Sequence, residues 1–178
     1  MTLRHLILPL FFICHLPISF SQNCEYEIKE IDKFEKVEKV LTKKVKVMYP
    51  SFKPPVVFLA LGRVDSDYIL QLEFSYNKYV CLNSESNELL LMTENNEVIR
   101  LKRASDGIDC LKNNGMINVG TFNYNIERNV LEKLSDKTLT ALRIYHSDGY
   151  IDVDLTKKNV NAKKAKEFLK TQIPCILN

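Results

Sequence analysis

The sequence predicts an α+β fold: a mostly antiparallel, twisted sheet of about seven to nine strands with two helices, one near the C-terminus. Three observations predict it. Most of residues 56–155 reads as short apolar or alternating runs bounded by turn residues, the pattern of strands joined by hairpins. Two stretches, 125–134 and 161–172, instead repeat their apolar residues at helical spacing. Gly and Pro are sparse, at 5 and 6, so no flexible linker divides the chain and a single domain over 22–178 is expected.

The first element is not part of that fold. Arg4 and His5 precede an apolar run, 6–20, broken only by His15 and Ser19. A short positive region before an apolar core of this length predicts a signal peptide over 1–21. The core is too short for a comfortable membrane span of ~20 residues. Ser19 and Ser21 are the small residues expected before a cut at Gln22, giving an exported mature chain, periplasmic or extracellular. Lipid anchoring at Cys24 is a minor alternative, because Ser21-Gln22-Asn23 lacks the small residue needed beside a lipidated cysteine. No later run is long enough to span a membrane.

Loss of Arg4 leaves 24 basic against 22 acidic side chains, a net charge of +2. Acids and bases are interleaved, which argues against a nucleic-acid partner. Cys14 also leaves, so Cys24, Cys81, Cys110 and Cys175 remain. None forms a C-x-x-C pair, which disfavours zinc and thioredoxin-like chemistry. Four cysteines in an exported chain read as two disulfides with three possible connectivities. A plausible pairing ties the ends through Cys24–Cys175 and closes a local loop through Cys81–Cys110.

The remaining elements follow in order. Residues 49–55 carry prolines that force extended backbone, a connection within one domain. Residues 56–61 are continuously apolar, as in a buried strand. After a turn at 63–67, residues 68–76 alternate, with Ile69 facing one way and Leu70, Leu72 and Phe74 the other. A short strand is expected in 78–82. Strands 89–92 and 98–101 flank Glu94-Asn-Asn-Glu97, a hairpin signal because Asn tolerates positive φ. Residues 103–115 read as a polar loop holding Cys110, and 116–124 as another strand. The helix over 125–134 aligns Ile126, Val130, Leu131 and Leu134. Strands 139–145 and 150–155 form a hairpin about Ser147-Asp148-Gly149. The last helix, 161–172, has Asn161 as N-cap and Pro174 as stop. Residues 26–47 are ambiguous: Ile28, Ile31, Phe34, Val37, Val40 and Leu41 recur at helical spacing, yet the later part is β-branched and can alternate as a strand.

The run Cys24-Glu-Tyr-Glu-Ile-Lys-Glu-Ile-Asp-Lys-Phe-Glu-Lys36, together with Leu139-Thr-Ala-Leu-Arg-Ile-Tyr145, Leu169-Lys-Thr-Gln-Ile-Pro-Cys-Ile176 and the leader end Ser19-Phe-Ser-Gln22, resembles a group of small exported proteins of Bacteroidetes bacteria. In that group an N-E-I-D-x-F-T-G stretch turns between two strands. The resemblance therefore implies two strands for 26–47, with Glu35-Lys36 standing where the group often has Thr-Gly. It implies a fold and an address and assigns no catalytic residue.

Chemistry is tightly bounded. His5 and His15 leave with the leader, so His146 is the only histidine of the mature chain, and multi-histidine metal sites and the H-E-x-x-H motif are excluded. His146-Ser147-Asp148 has the composition of a hydrolase triad. Consecutive residues in a strand or tight turn diverge, so these three cannot converge on one another; turn chemistry explains them. Asp152 and Asp154 share one strand face while Ile151, Val153 and Leu155 share the other. That carboxylate pair is a candidate acid/base couple with His146 as a further catalytic candidate, and with Asp148 a candidate calcium site. Tyr76, Tyr79, Phe122 and Tyr124 are the candidate stacking rings. No phosphate loop or dinucleotide fingerprint is present, and no cofactor is implied.

The leading expectation is a non-catalytic exported domain that binds a protein or envelope component. The alternatives are a small secreted hydrolase using His146 or Asp152/Asp154, and a secreted inhibitor or apolar-ligand carrier. An inhibitor would display residues 105–115, braced beside Cys110.

Overall fold

A computed structural model describes residues 24–47, 55–83, 88–156 and 162–177. The expected signal segment, the 49–54 connection and Asn161 lie outside the described residues. In chain order the strands are β1 (Tyr26–Ile31), β2 (Glu38–Thr42), β3 (Val45–Lys46), β4 (Val56–Val64), β5 (Asp67–Tyr76), β6 (Cys81–Asn83), β7 (Leu89–Thr93), β8 (Val98–Leu101), β9 (Ile108–Cys110), β10 (Lys112–Asn114) and β11 (Ile117–Asn125). Helix α1 (Arg128–Leu134), strands β12 (Leu139–His146) and β13 (Gly149–Asp154), and helices α2 (Ala162–Lys166) and α3 (Phe168–Leu177) complete it. The class is α+β, with every strand pairing antiparallel.

Seven strands form the large sheet in the order β1-β2-β4-β5-β11-β10, with β3 also on β4. Its centre is the long β4–β5 hairpin, where Leu59 lies opposite Leu72 and Val57 opposite Phe74. The smaller sheet runs β13-β12-β7-β8, and β6 pairs with β9 alone. The two larger sheets are stitched where β8 runs out: Arg103 bridges Tyr124, and Asn125 N–H donates to the Lys102 carbonyl at 2.9 Å. Helix α3 packs on β2, β4 and α1, while α2 meets β3 and β12. Leu70, Leu72 and Phe74 of the large sheet, Leu91 and Ile144 of the small sheet, and Phe168 of α3 are each fully buried in one contiguous cluster. Both disulfides, Cys24–Cys175 and Cys81–Cys110, are formed. The first ties the start of β1 to α3; the second joins residues directly opposite each other in β6–β9.

Several elements differ from the sequence reading for physical reasons. Residues 26–47 form strands, as the resemblance implied though three rather than two, and not the helix of their apolar spacing; Lys36 has φ +57° in the turn between β1 and β2, so a lysine holds the left-handed position that glycine would favour. Helix α1 starts at Arg128, not at residue 125, because Asn125 is still paired with Ile69 in the large sheet. Its stripe survives: Leu131 and Leu134 are buried, and Ile126 is buried from the connection just before the helix. Residues 103–115 are not a plain loop but contain β9 and β10. Their polar composition hides both strands: β9 is paired with β6 across the disulfide, and β10 adds to the edge of the large sheet along β11. The last helical stretch continues to Leu177 with Pro174 inside it. One missing N–H near the end is tolerated there because Ile173 and Ile176 are fully buried and Cys175 is bonded to Cys24.

Candidate functional site

The hairpin that carries His146 is built as a turn. His146 lies opposite Gly149, which has φ +127°, a backbone angle that residues with a Cβ rarely adopt. Ser147 faces the cystine: its N–H donates to the Cys81 carbonyl at 2.8 Å and its Oγ accepts the Cys81 N–H at 3.2 Å. Ser147 Oγ also donates to Asp148 Oδ1 at 3.1 Å. His146 itself is buried beside the Tyr76 ring. Its Nδ1 accepts the Asp148 backbone N–H at 3.2 Å, and its Nε2 has no partner among the described residues. An accepting Nδ1 fixes the neutral Nε2–H tautomer. Neither ring nitrogen therefore meets a hydroxyl to activate or a carboxylate to orient it.

Burial holds the His146 pKa below the ordinary histidine value, with Asp148 opposing the shift and Lys78 reinforcing it. The unfolded chain then binds a proton that the folded chain resists. Stability present near neutral pH is lost as pH falls through about 6.5, the unfolded value, towards the lower folded one. The melting temperature of the wild type is expected to fall between about pH 7 and pH 5 more steeply than that of His146→Gln. Equal slopes for the two proteins would refute the assignment.

Asp152 and Asp154 do share the outer face of β13, with Val153 and Leu155 turned into the core. They are engaged separately. Asp152 accepts two hydrogen bonds from Arg143, at 2.6 and 2.7 Å, and the guanidinium beside it holds its carboxyl below the usual carboxylate range. Asp154 accepts the Thr156 N–H at 2.8 Å and its hydroxyl at 2.6 Å, closing the strand end. Among the described residues no three His, Cys, Asp or Glu side chains are grouped to hold a metal ion, and Asp148, Asp152 and Asp154 form no such group.

What Asp152 does belong to is an open sheet face. Cross-strand pairing places Asp154, Ala141, Met92 and Val98 in one row, and Asp152, Arg143, Leu90 and Arg100 in the next. Tyr145 and Tyr150 sit opposite each other beyond them. The Arg143 guanidinium carbon lies over the Tyr150 ring, 4.0 Å from its centroid, so an ion pair and a cation–π contact hold one guanidinium in place. The face leaves Met92 37%, Val98 44% and Tyr150 55% exposed. Its apolar floor and charged rim enclose a cleft of about 420 Å³. None of Leu90, Met92, Arg143, Tyr145 or Tyr150 was singled out by motif. The legible signal was the alternation of β12 and β13, which puts Arg143 and Asp152 on the same side.

The candidate stacking rings do not make one patch. Phe122 and Tyr124 are core residues, Tyr76 stacks on Phe74, and Tyr79 is exposed alone. The segment from Ser105 to Gly115 is braced by the Cys81–Cys110 bridge and pinned from inside by Arg103, whose side chain is only 1% exposed. That guanidinium donates to the Leu82 carbonyl at 2.8 Å, the Gly107 carbonyl at 3.3 Å, Ser105 Oγ and Asp109. Ile108 and Met116 project from the same region, 70% and 98% exposed. No protein-family model, no curated protein and no solved structure matches the chain.

Proposed function

We propose that the protein is a non-catalytic exported domain that binds a protein or envelope component through the outer face of its smaller sheet. The observation that carries this reading is the cleft lined by Leu90, Met92, Val98, Arg143 and Tyr145. A surface that leaves several large apolar side chains together in water marks an interaction site, and the locked Arg143–Asp152 pair supplies fixed polar groups for specificity. The two disulfides fit an oxidising compartment outside the cytoplasm, and no described helix is long and apolar enough to cross a membrane. His146, whose Nδ1 accepts the Asp148 N–H and whose Nε2 meets no partner among the described residues, supports binding over hydrolysis.

A photo-reactive residue at position 92 or 98, presented to the producing cell's envelope and medium, is expected to capture a discrete partner. The same probe at the exposed Tyr79 should not, and Arg143→Ala should weaken capture from position 92. Indiscriminate labelling from all three positions would refute the reading. A second reading, a secreted inhibitor, is favoured by one feature: the cystine-braced segment with Ile108 and Met116 exposed. It requires that Met116→Asp relieve inhibition of a secreted hydrolase while leaving capture at position 92 intact.

A further inference from the structure

We propose that the Cys81–Cys110 cystine is a thiol–disulfide exchange site. A dithiol reduces it reversibly in the folded protein while Cys24–Cys175 stays closed, and its opening releases residues 105–110. The inference stands apart from the binding face on the smaller sheet. The site is built on the β6–β9 ladder, which belongs to neither larger sheet. Cys81 lies directly opposite Cys110 in that ladder. The Cys81 N–H donates to Ser147 Oγ at 3.2 Å, and the Cys81 carbonyl accepts the Ser147 N–H at 2.8 Å. Both backbone groups of Cys81 are thus turned away from β9, which makes Cys81 and Cys110 a non-hydrogen-bonded cross-strand pair.

Three features separate this bridge from Cys24–Cys175. The first is reach. A non-hydrogen-bonded pair brings its Cα atoms to about 4.5 Å, near the short limit for a cystine. Cys24–Cys175 spans 5.6 Å, inside the favoured range. Reduction therefore lets β6 and β9 relax, and gives no such relief at Cys24–Cys175. The second is span, 29 positions against 151. A bridge is protected from reduction by as much as it stabilises the fold, and the shorter loop stabilises it less. The third is access. Val80 and Leu82 are fully buried, so the alternation of β6 turns Cys81 outward between them. Cys81 and Cys110 are half-buried next to the exposed Asp109, whereas Cys175 is buried among Ile173 and Ile176.

The segment that reduction frees is anchored at its ends and exposed between them. Arg103 is buried upstream and Leu111 is buried downstream. Residues 105–109 are all exposed, so opening the bridge takes no apolar side chain out of the core. What then holds the segment is a two-stranded ladder of three residue pairs and the bonds from Arg103, and a two-stranded ladder is marginal in water. In the exchange, one thiolate of the dithiol attacks a cystine sulfur and forms a mixed disulfide. The other cysteine leaves as a thiolate and takes up a proton. The second sulfur of the dithiol, as thiolate, displaces the first cysteine and closes the reductant's own disulfide. The cystine gains two electrons and two protons, and the dithiol loses them. Ser147 keeps its hold on Cys81 and the buried Leu111 its hold beside Cys110, so the two thiols stay opposite each other and oxidation re-forms the same bridge. Ile108, 70% exposed, is thereby displayed on a fixed segment in an oxidising medium and on a loose one in a reducing medium.

Equilibration of the oxidised protein with mixtures of reduced and oxidised dithiothreitol at neutral pH tests this, followed by acid quench, alkylation and mass mapping. Cys81 and Cys110 are expected to alkylate together at a reduced-to-oxidised ratio at least about tenfold lower than Cys24 and Cys175 require, or about 30 mV for a two-electron couple. At that ratio a broad-specificity protease should cut within 105–110 about tenfold faster than in the oxidised protein, with the β4–β5 hairpin still uncut. Return to oxidised dithiothreitol should restore the bridge and the slow cutting. The double variant Cys81→Ala/Cys110→Ala should fold and show the fast cutting without any reductant. Opening of both bridges at one ratio, or of Cys24–Cys175 first, overturns the proposal. So does a double variant that fails to fold, or one cut within 105–110 as slowly as the oxidised wild type.

Discussion

Replacing Cys24 and Cys175 together by serine is expected to lower the unfolding free energy by about 5 kcal/mol, the loop-entropy value for a bridge of this span. The bridge joins residues separated by 151 positions. Without it the unfolded chain regains the freedom that the cross-link removes. The folded state also loses the clamp between β1 and α3, leaving the Tyr26 hydroxyl bond to the Cys175 carbonyl as a local tie. A loss of this size is comparable to the whole stability of many domains. Urea unfolding of the double variant beside the wild type reads it directly as a fall in midpoint. A loss below about 1 kcal/mol would show that the ends of the fold hold themselves and that the cross-link changes little in the unfolded ensemble.

The second large effect is expected at Arg103. Removing its side chain by Arg103→Met should cost about 3 kcal/mol, because a buried guanidinium with several acceptors is lost and the Leu82 carbonyl is left without its donor. Asp109, the partnering carboxylate, is 59% exposed and can return to water, so Asp109→Asn should be much milder. Arg103→Lys should be nearly as damaging as Arg103→Met, since an ammonium cannot reproduce a planar fork that reaches Leu82, Gly107, Ser105 and Asp109 at once. The guanidinium also lies over the Phe122 ring and beside Tyr124, whose hydroxyl is pushed well above its ordinary pKa by burial. Thermal unfolding measures the loss, and faster reduction of Cys81–Cys110 would localise it. A lysine variant as stable as the wild type would refute the role of the fork.

Much of the architecture was legible because burial writes a period into the chain. The alternation of Leu70, Leu72 and Phe74, and of Val153 and Leu155, placed both sheets' inner faces correctly. Cysteine count and the expected export suggested both bridges that the structure contains. What was illegible had no apolar signature. β9 is a polar strand held by a cystine and by Arg103, and β10 a polar strand held by its pairing with β11; the sequence reading left both inside a polar loop. Pro174 inside α3 defeats a local rule through tertiary packing that no local window contains. The candidate face was half legible: Asp152 and Asp154 were placed on one side of β13, but Met92 and Val98 join them only because β7 and β8 pair alongside, and that pairing order is not a local property. His146 was correctly separated from Ser147 and Asp148 by strand geometry, whereas its burial against Tyr76 came from a contact between distant strands.

The bond between Cys24 and Cys175 has a further consequence. It makes the described fold a covalent ring, with its first and last cysteines 5.6 Å apart at Cα. A protease in the extracytoplasmic space that cuts one exposed turn, at Lys36 or Gly115 for example, opens the ring without releasing a fragment. The nicked halves stay tethered and can re-pair their strands. Two cuts are needed to shed a piece, so survival among secreted proteases is tied to the oxidation state of a single cystine.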